Sequence, residues 1–400
     1  MRPSSRGKKS HFPAPKKNIP PSNAAICQVT KFWDFSIPLQ SISIFFDIDW
    51  NHYQKLLNLD PMVSKSISAS SSPNRSFEAI NFLCTLTDLN KAFADTLRLQ
   101  VLRLLRGESF GVLELCKILG IRQSALSHHL KILATAEIVS TRKEGNSIFY
   151  RRSLLRDDDP YREIKESILE SVDKIPLPND IKRRIEHIQV ERAEQSLSFF
   201  RKNADKFQEK QGLIVEHADY ATNIHDVIAS LNISDESQIL EVGPGEGKLL
   251  SELTKKFKNL VALDNSREML EKCKSTISSS NCKGVKFLLG DTSIALSKSI
   301  KSDLLILNMV LHHISTPAKT FQDASSLLNW GGHLLIVDLS RHDQDWVRDS
   351  CGDIWLGFEE ADLNHWGNKA NLEVGQSSYL SLRNGFQIQM RIFTKKINPN

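Results

Sequence analysis

No run of eighteen apolar residues occurs anywhere in the 400 positions, so neither a bilayer-spanning helix nor a membrane partner is expected. Cysteine is scarce and scattered. The six residues Cys27, Cys84, Cys116, Cys273, Cys282 and Cys351 include no C-x-x-C pair, which argues against a disulfide framework or a zinc finger. Reduced thiols fit a cytoplasmic protein. Cys282 and Cys351 read as buried small hydrophobes. Acidic residues are missing from residues 1–33, which hold seven Lys/Arg. No apolar segment of the kind a secretory signal needs follows that basic start. No internal repeat is visible.

What is present is unevenly spread. The formal net charge is +5, yet residues 1–33 contribute +7 and leave −2 for the rest. Residues 80–153 carry eleven Lys/Arg against six acids, again +5, a local excess that a polyanionic partner requires. Residues 1–77 join the basic start to the low-complexity stretch SKSISASSSPN, which cannot pack a core. They are expected to be mostly disordered, with Met62 as a second candidate start.

Further on, Leu86, Leu89, Phe93, Leu97, Val101, Leu104 and Leu105 recur at helical spacing and predict one helix from Ser76 to Leu105, ended by Gly107. VLELCKILG predicts a short helix closed by Gly120, and QSALSHHLKILATAE a second. IVSTRKEGNSIFYRR alternates around Glu144-Gly145-Asn146 as a hairpin does. Residues 156–216 read as a charged helical connector that carries part of a dimer interface. From Gln238, the runs QILEVG, NLVALD, VKFLLGD, SDLLILNMV and GGHLLIVDL alternate with helix-like segments, the pattern of a parallel sheet with crossover helices over 217–400.

In the second short helix, Leu126, Leu130 and Leu133 bury one face and leave Gln123, Ser124, Ser127, His128 and Lys131 on the other. Such side chains near a helix N-terminus suit phosphate and base-edge contacts in a major groove. The hairpin adds Arg142 and Lys143 near its tip, with Arg151 and Arg152 at its exit, positioned for phosphates or the minor groove. The bland alternative is a solvated helix face beside an ordinary hairpin. The basic hairpin favours double-stranded DNA.

Residues 86–153 resemble the winged helix-turn-helix of the ArsR family of metalloregulators, in Leu-Cys, in Gln-Ser-x-x-Ser-x-His-Leu and in Arg-x-x-Gly-x-x-x-x-Tyr. The resemblance implies a DNA-binding domain over 78–155, a homodimer on a pseudo-palindromic operator, and repression relieved by an effector. One departure matters. Arsenic-sensing members carry Cys-x-Cys, whereas here Cys116 is followed by Ile118 at the second position. A lone thiolate is too few for a thiophilic ion, and adjacent His128 and His129 diverge on a helix. No metal is expected.

The stretch LEVGPGEGKLL raises a different chemistry. Gly243, Gly245 and Gly247 spell G-x-G-x-G after Glu241, while a dinucleotide fingerprint needs a glycine where Lys248 stands. Asp264 ends the next apolar run, 23 residues after Glu241, suited to ribose hydroxyls. Asp291 ends the third, suited to an exocyclic adenine amine. Each acid alone has a turn-capping alternative, but all three fall at C-terminal strand ends, where open α/β sheets bind ligands.

Residues 195–395 resemble class I, UbiE-like S-adenosylmethionine-dependent methyltransferases. The resemblance implies a Rossmann-like doubly wound α/β sheet. It implies that Glu241, Gly243, Gly245 and Gly247 hold the methionine and ribose side of S-adenosylmethionine, Asp264 the ribose, and Asp291 and Thr292 the adenine. Asn308 would stand beside the transferred methyl. Such a displacement asks mainly for positioning, with a base only if the acceptor must lose a proton. His312, His313 and Asn308 are the catalytic candidates, with His342 and Asp343 as further bases; packing or capping is the alternative for each. No Asn/Asp-Pro-Pro-Tyr/Phe signature points to adenine or glutamine amino groups, and the cysteines of arsenite methyltransferases are missing.

Together the resemblances join both halves, as in the fused ArsR-type regulator/methyltransferases of bacteria. The expected function is a DNA-binding repressor fused to an enzyme that methylates a small molecule. Two alternatives stand beside it: a regulator that senses S-adenosylmethionine or S-adenosylhomocysteine without turnover, and an RNA methyltransferase that docks through its winged helix.

Overall fold

The computed structural model describes residues 73–279 and 284–396. The expectations for residues 1–72 and for Cys282 lie outside the described residues. Where the apolar spacing predicts one helix, the chain forms two, α1 (Pro73–Phe93) and α2 (Thr96–Leu104). Asp95 breaks the run: its backbone is extended, and its side chain caps α2 by accepting from Arg98 N. A short strand β1 (Phe110–Gly111) precedes α3 (Val112–Leu119), which Gly120 closes at φ 70°. Then comes α4 (Gln123–Thr135), whose Leu126, Leu130 and Leu133 are fully buried.

Strands β2 (Val139–Glu144) and β3 (Ser147–Arg152) form the expected antiparallel hairpin, turning at Gly145, and β1 adds to the free edge of β3. The next helices, α5 (Arg162–Asp173) and α6 (Asn179–Asn203), are more than a linker. Leu169 and Ile188 share a core with Leu89, Leu102 and Leu126. At 25 residues, α6 is about 37 Å long. Arg184 near its start donates to Ile118 O, and Phe200 near its end packs edge-on against His313.

The remaining helices are α7 (Phe207–Gly212), α8 (His217–Ser230), α9 (Lys248–Leu253), α10 (Arg267–Ser279), α11 (Thr292–Ser297), α12 (Pro317–Leu327), α13 (Trp346–Cys351) and α14 (Glu360–Lys369). They surround one sheet built from β4 (Gln238–Val242), β5 (Asn259–Asp264), β6 (Val285–Leu289), β7 (Ser302–Asn308), β8 (Leu328–Leu339), β9 (Leu372–Ser381) and β10 (Gln387–Lys395). The strand order is β6-β5-β4-β7-β8-β10-β9. The first five are parallel and match the five apolar runs; β10 is antiparallel to both its neighbours.

Both faces of this sheet are covered, which is why its strands read as continuous apolar runs. Ile239 and Ala262 face a core with Leu250 and Leu270, whereas Leu240 and Val261 face one with Phe321 and Leu363. The chain steps outward from β4 to β6 and returns to the other side of β4 as β7. That reversal opens a crevice at the C-terminal ends of β4 and β7. Winged helix and sheet belong to one compact unit, Ser76–Asn400. Among the described residues, no helix is long and apolar enough to cross a membrane.

Candidate functional site

After β4 the backbone turns through Gly243, Gly245 and Gly247 at φ 65°, 57° and 80°. A Cβ on Gly243 would sit 2.3 Å from Val310, and one on Gly247 2.7 Å from Cys273 Sγ. Glycine is therefore required twice over, by conformation and by space. The loop lines a cleft with Asn308 and Met309 from the end of β7 and Gln211, His217 and Tyr220 from the helices before the sheet.

Polar groups around the cleft are under strain from burial. Glu241 Oε2 is buried without a hydrogen-bond partner among the described residues, and the Asn308 side chain faces the Tyr220 hydroxyl. Burial pushes the Glu241 carboxyl up to about 8. Asp264 is raised to about 6, again by burial, against the pull of the Ser266 and Asn265 amides. It stays next to the loop because Gly243 N donates to Leu263 O at 2.8 Å. Asp291 caps α11, accepting from the Ser293 and Ile294 amides. The Thr292 hydroxyl donates to Asp323 Oδ2 at 2.6 Å, tying α11 to α12. Of the expected cofactor positions, Gly243, Gly245 and Asn308 line the cleft itself, Gly247 shapes its rim, and Glu241 and Asp264 end the strands beneath and beside it.

A second, narrow hollow shares Gln211 and Met309 with the cleft and is lined by Phe199, Phe200, His312, His313, Cys351 and Asp353. His312 Nδ1 lies 2.7 Å from Asp338 Oδ1. Burial opposes a charge on His312, but Asp338 and Asp353 outweigh it and hold the imidazolium up to about 9. Burial and the neighbouring His312 charge drive His313 well below the usual histidine range. Its Nδ1 is 3.1 Å from Gly352 O. Burial also raises Asp353, to about 7, against the attraction of His312. His342, pushed down to about 4 by burial, lines a separate hollow with Asp343, Phe358 and Gln387. The fold thus brings His312 and His313 to the cleft's neighbour and keeps His342 and Asp343 apart from it.

On the winged helix, Gln123, Ser124, Ser127, His128 and Lys131 are all exposed on α4, while His129 is half-buried, 3.3 Å from Asp95. Arg142 corrects the sequence reading. It is 9% exposed, donates to Gly357 O, pairs with Glu144 and stacks over Phe358 at 5.6 Å. Glu144 Oε2 in turn accepts from Leu356 N at 2.8 Å. The guanidinium is engaged inside the protein because strands β2 and β3 dock on the segment after β8, with Phe149 edge-on to Trp355 at 5.4 Å. Lys143 is exposed, 3.7 Å from Asp345.

Sequence reasoning missed Glu144, Arg192, Tyr220, Asp338 and Asp353. Buried Arg192 on α6 holds both carboxylate oxygens of Glu114 on α3 and reaches Ser315 O after β7 at 3.4 Å. Its only signal in the sequence is an arginine on the inner face of a charged helix.

Two family models match the chain: one described as a methyltransferase domain over residues 233–371, and one described as a bacterial regulatory protein of the arsR family over 95–141. The transcriptional activator HlyU of Vibrio cholerae is 45% identical over 65 residues, 16% of this chain and 60% of that protein. An uncharacterised HTH-type transcriptional regulator of Methanocaldococcus jannaschii is 46% identical over 66 residues, 16% of this chain and 72% of that protein. A polyketide synthase-nonribosomal peptide synthetase of Aspergillus clavatus is 28% identical over 150 residues, 32% of this chain. The chain spans 4% of the length of that synthetase and 60% of HlyU, less than two thirds of each.

Proposed function

Because the chain belongs to the arsR family of bacterial regulatory proteins and joins its winged helix to a methyltransferase domain, we propose that it is a homodimeric, cytoplasmic DNA-binding repressor whose sheet domain binds S-adenosylmethionine and methylates a small molecule. The observation that carries the cofactor reading is the cleft at the sheet's reversal point, where glycine backbone meets Asn308. Its lining fits the cofactor: glycine backbone at Gly243 and Gly245 that a ligand can approach closely, and carboxyls at Glu241 and Asp264 raised by burial and able to ionise beside a cation or accept from hydroxyls. Asp291 and Thr292 would border the adenine. When bound, such a cofactor supplies an electrophilic sulfonium methyl.

The chain's own residues then have to position the reactants. Met309 and Gln211 form a wall common to the cleft and the histidine hollow, so an acceptor in the hollow faces the cleft across it. His313 is kept uncharged and can accept a hydrogen bond from that acceptor, whereas His312 is held protonated. DNA contact falls to Gln123, Ser124, Ser127, His128 and Lys131 on α4, with Lys143 at the phosphates.

Calorimetry with S-adenosylmethionine and S-adenosylhomocysteine tests the cofactor. Asp264→Ala removes a charge-assisted acceptor, worth about 1.5–3 kcal/mol, so affinity should fall at least about tenfold. Unchanged binding by that variant would remove the ribose assignment. A second reading, a cofactor sensor without turnover, is favoured by the wing contacts of Arg142 and Glu144 to Gly357 and Leu356, which join the DNA-binding half to the sheet domain. Methyl transfer measured against candidate acceptors separates the two.

A further inference from the structure

Within that scheme Asp353 serves only as a counter-charge to His312. It is 3% exposed, and neither carboxylate oxygen has a hydrogen-bond partner among the described residues. His312 Nε2 and His313 Nδ1 each lie 4.0 Å from its Oδ1. A buried carboxylate left in this way destabilises the fold unless something else pairs with it. One ligand atom from each of His312, His313 and Asp353 falls within 4.8 Å of the others.

We propose that His312, His313 and Asp353 form a binding site for a divalent transition-metal ion of the zinc class, open towards the adjoining hollow. Two imidazoles and one carboxylate make a donor set that such ions favour, and three protein ligands leave a coordination position free. The supporting layer is present. Asp338 holds His312 Nδ1 at 2.7 Å, which fixes the ring and turns Nε2 to the site, where an ion would displace its proton. The Ile354 and Trp355 amides both donate to His312 O, so the segment carrying Asp353 is fastened to the histidine turn. Bonds of about 2.0–2.2 Å in a tetrahedral arrangement set ligand atoms about 3.3–3.6 Å apart, so the present spacings of 4.0 Å to at most 4.8 Å would close around the ion, and His313 Nδ1 would exchange its 3.1 Å contact with Gly352 O for it.

This site is remote in character from the thiolate position on α3, where Cys116 is half-buried and Ile118 replaces a second cysteine. It stands whether or not the sheet domain turns over. A consequence that does rest on the methyltransferase reading is the acceptor class: a thiol or hydroxyl able to ligate the ion would be held at the wall shared with the cleft.

The test uses the full-length chain, treated with chelator and titrated with Zn²⁺ alone, followed by the same titration with Co²⁺ read by its visible absorption. The expected result is one equivalent bound per chain, with Asp353→Asn and His313→Gln each weakening it at least about tenfold and Cys116→Ser leaving it unchanged. Zn²⁺ should raise the melting temperature of the wild type and not that of the two variants, whose circular dichroism without ion reports their folding. If Asp353→Asn fails to fold, His313→Gln decides. No binding by the wild type, or wild-type binding by a folded variant, would overturn the site. Calorimetry with S-adenosylmethionine on the same preparations is a separate reading: ion binding without cofactor binding keeps this site and removes the proposed enzyme.

Discussion

Glu241 illustrates how a residue at this site is tuned by where the fold holds it. Its carboxyl is buried beneath the glycine loop and raised to about 8, Asp353 to about 7 and Asp264 to about 6, in each case first by burial. For an acid whose folded pKa lies above its unfolded value, the folded state holds the extra proton. Its contribution to stability is therefore complete below about pH 4 and is lost as pH rises through the folded value. That contribution should fall between about pH 5 and 8.5, opposed in the lower part by the depressed His313 and His342, and Glu241→Gln should flatten the upper part of the fall, as read by denaturant midpoints across the range. An equally steep slope in the variant would mean that Glu241 is not the group responsible. Gly243→Ala meets both a left-handed φ and a contact at 2.3 Å, so it should lose at least about 1–2 kcal/mol and bind cofactor poorly. At this scale the glycine loop was legible, because G-x-G-x-G encodes a backbone conformation directly. Asp353 was not, because its meaning depends on histidines forty positions away.

Among the elements, the wing carries the sharpest divergence between pattern and structure. Alternation alone located β2 and β3 correctly, but it places Glu144 in the turn and Arg142 near a tip free for DNA. Their burial is decided by Leu356 and Gly357, more than two hundred residues later, which no local period can report. The prediction follows from the burial. Arg142→Ala leaves Glu144 buried without its partner and should cost about 3–5 kcal/mol in chemical denaturation, with the salt slope of operator binding unchanged. Lys143→Ala should leave stability nearly untouched and lower that slope by about one. A lowered slope in Arg142→Ala with normal stability would mean that the wing leaves the sheet domain to reach DNA. On α4, Gln123→Ala should relax base preference at one position per half-site, by about 1–3 kcal/mol of discrimination. Elsewhere, the five parallel strands were legible as apolar runs buried on both faces. Strand β9 was not, because as an edge strand it exposes six of its ten residues and reads LEVGQSSYLS. The break between α1 and α2 was hidden because apolar spacing continues across Asp95.

For the whole molecule, the two halves were legible separately and their joint was not. That joint is polar and long-range: Glu144 to Leu356, Arg142 to Gly357, and Arg192 of α6 bridging Glu114 beside the recognition helix to Ser315 beyond β7. The β7 end that supplies Asn308 and Met309 to the cleft is thus a few residues from a contact to the winged helix. Such continuity would be the physical basis of the proposed linkage between cofactor and operator, for which about 1–3 kcal/mol is usual. The most direct measurement is operator affinity of the full-length chain without ligand and with saturating S-adenosylmethionine, S-adenosylhomocysteine or arsenite, paired with cofactor affinity with and without operator. The account predicts that at least one cofactor form changes operator affinity by about 5- to 150-fold, that operator changes the affinity for that form by the same factor, and that arsenite does nothing. Release of the operator by arsenite, with both cofactor forms inert, would contradict it.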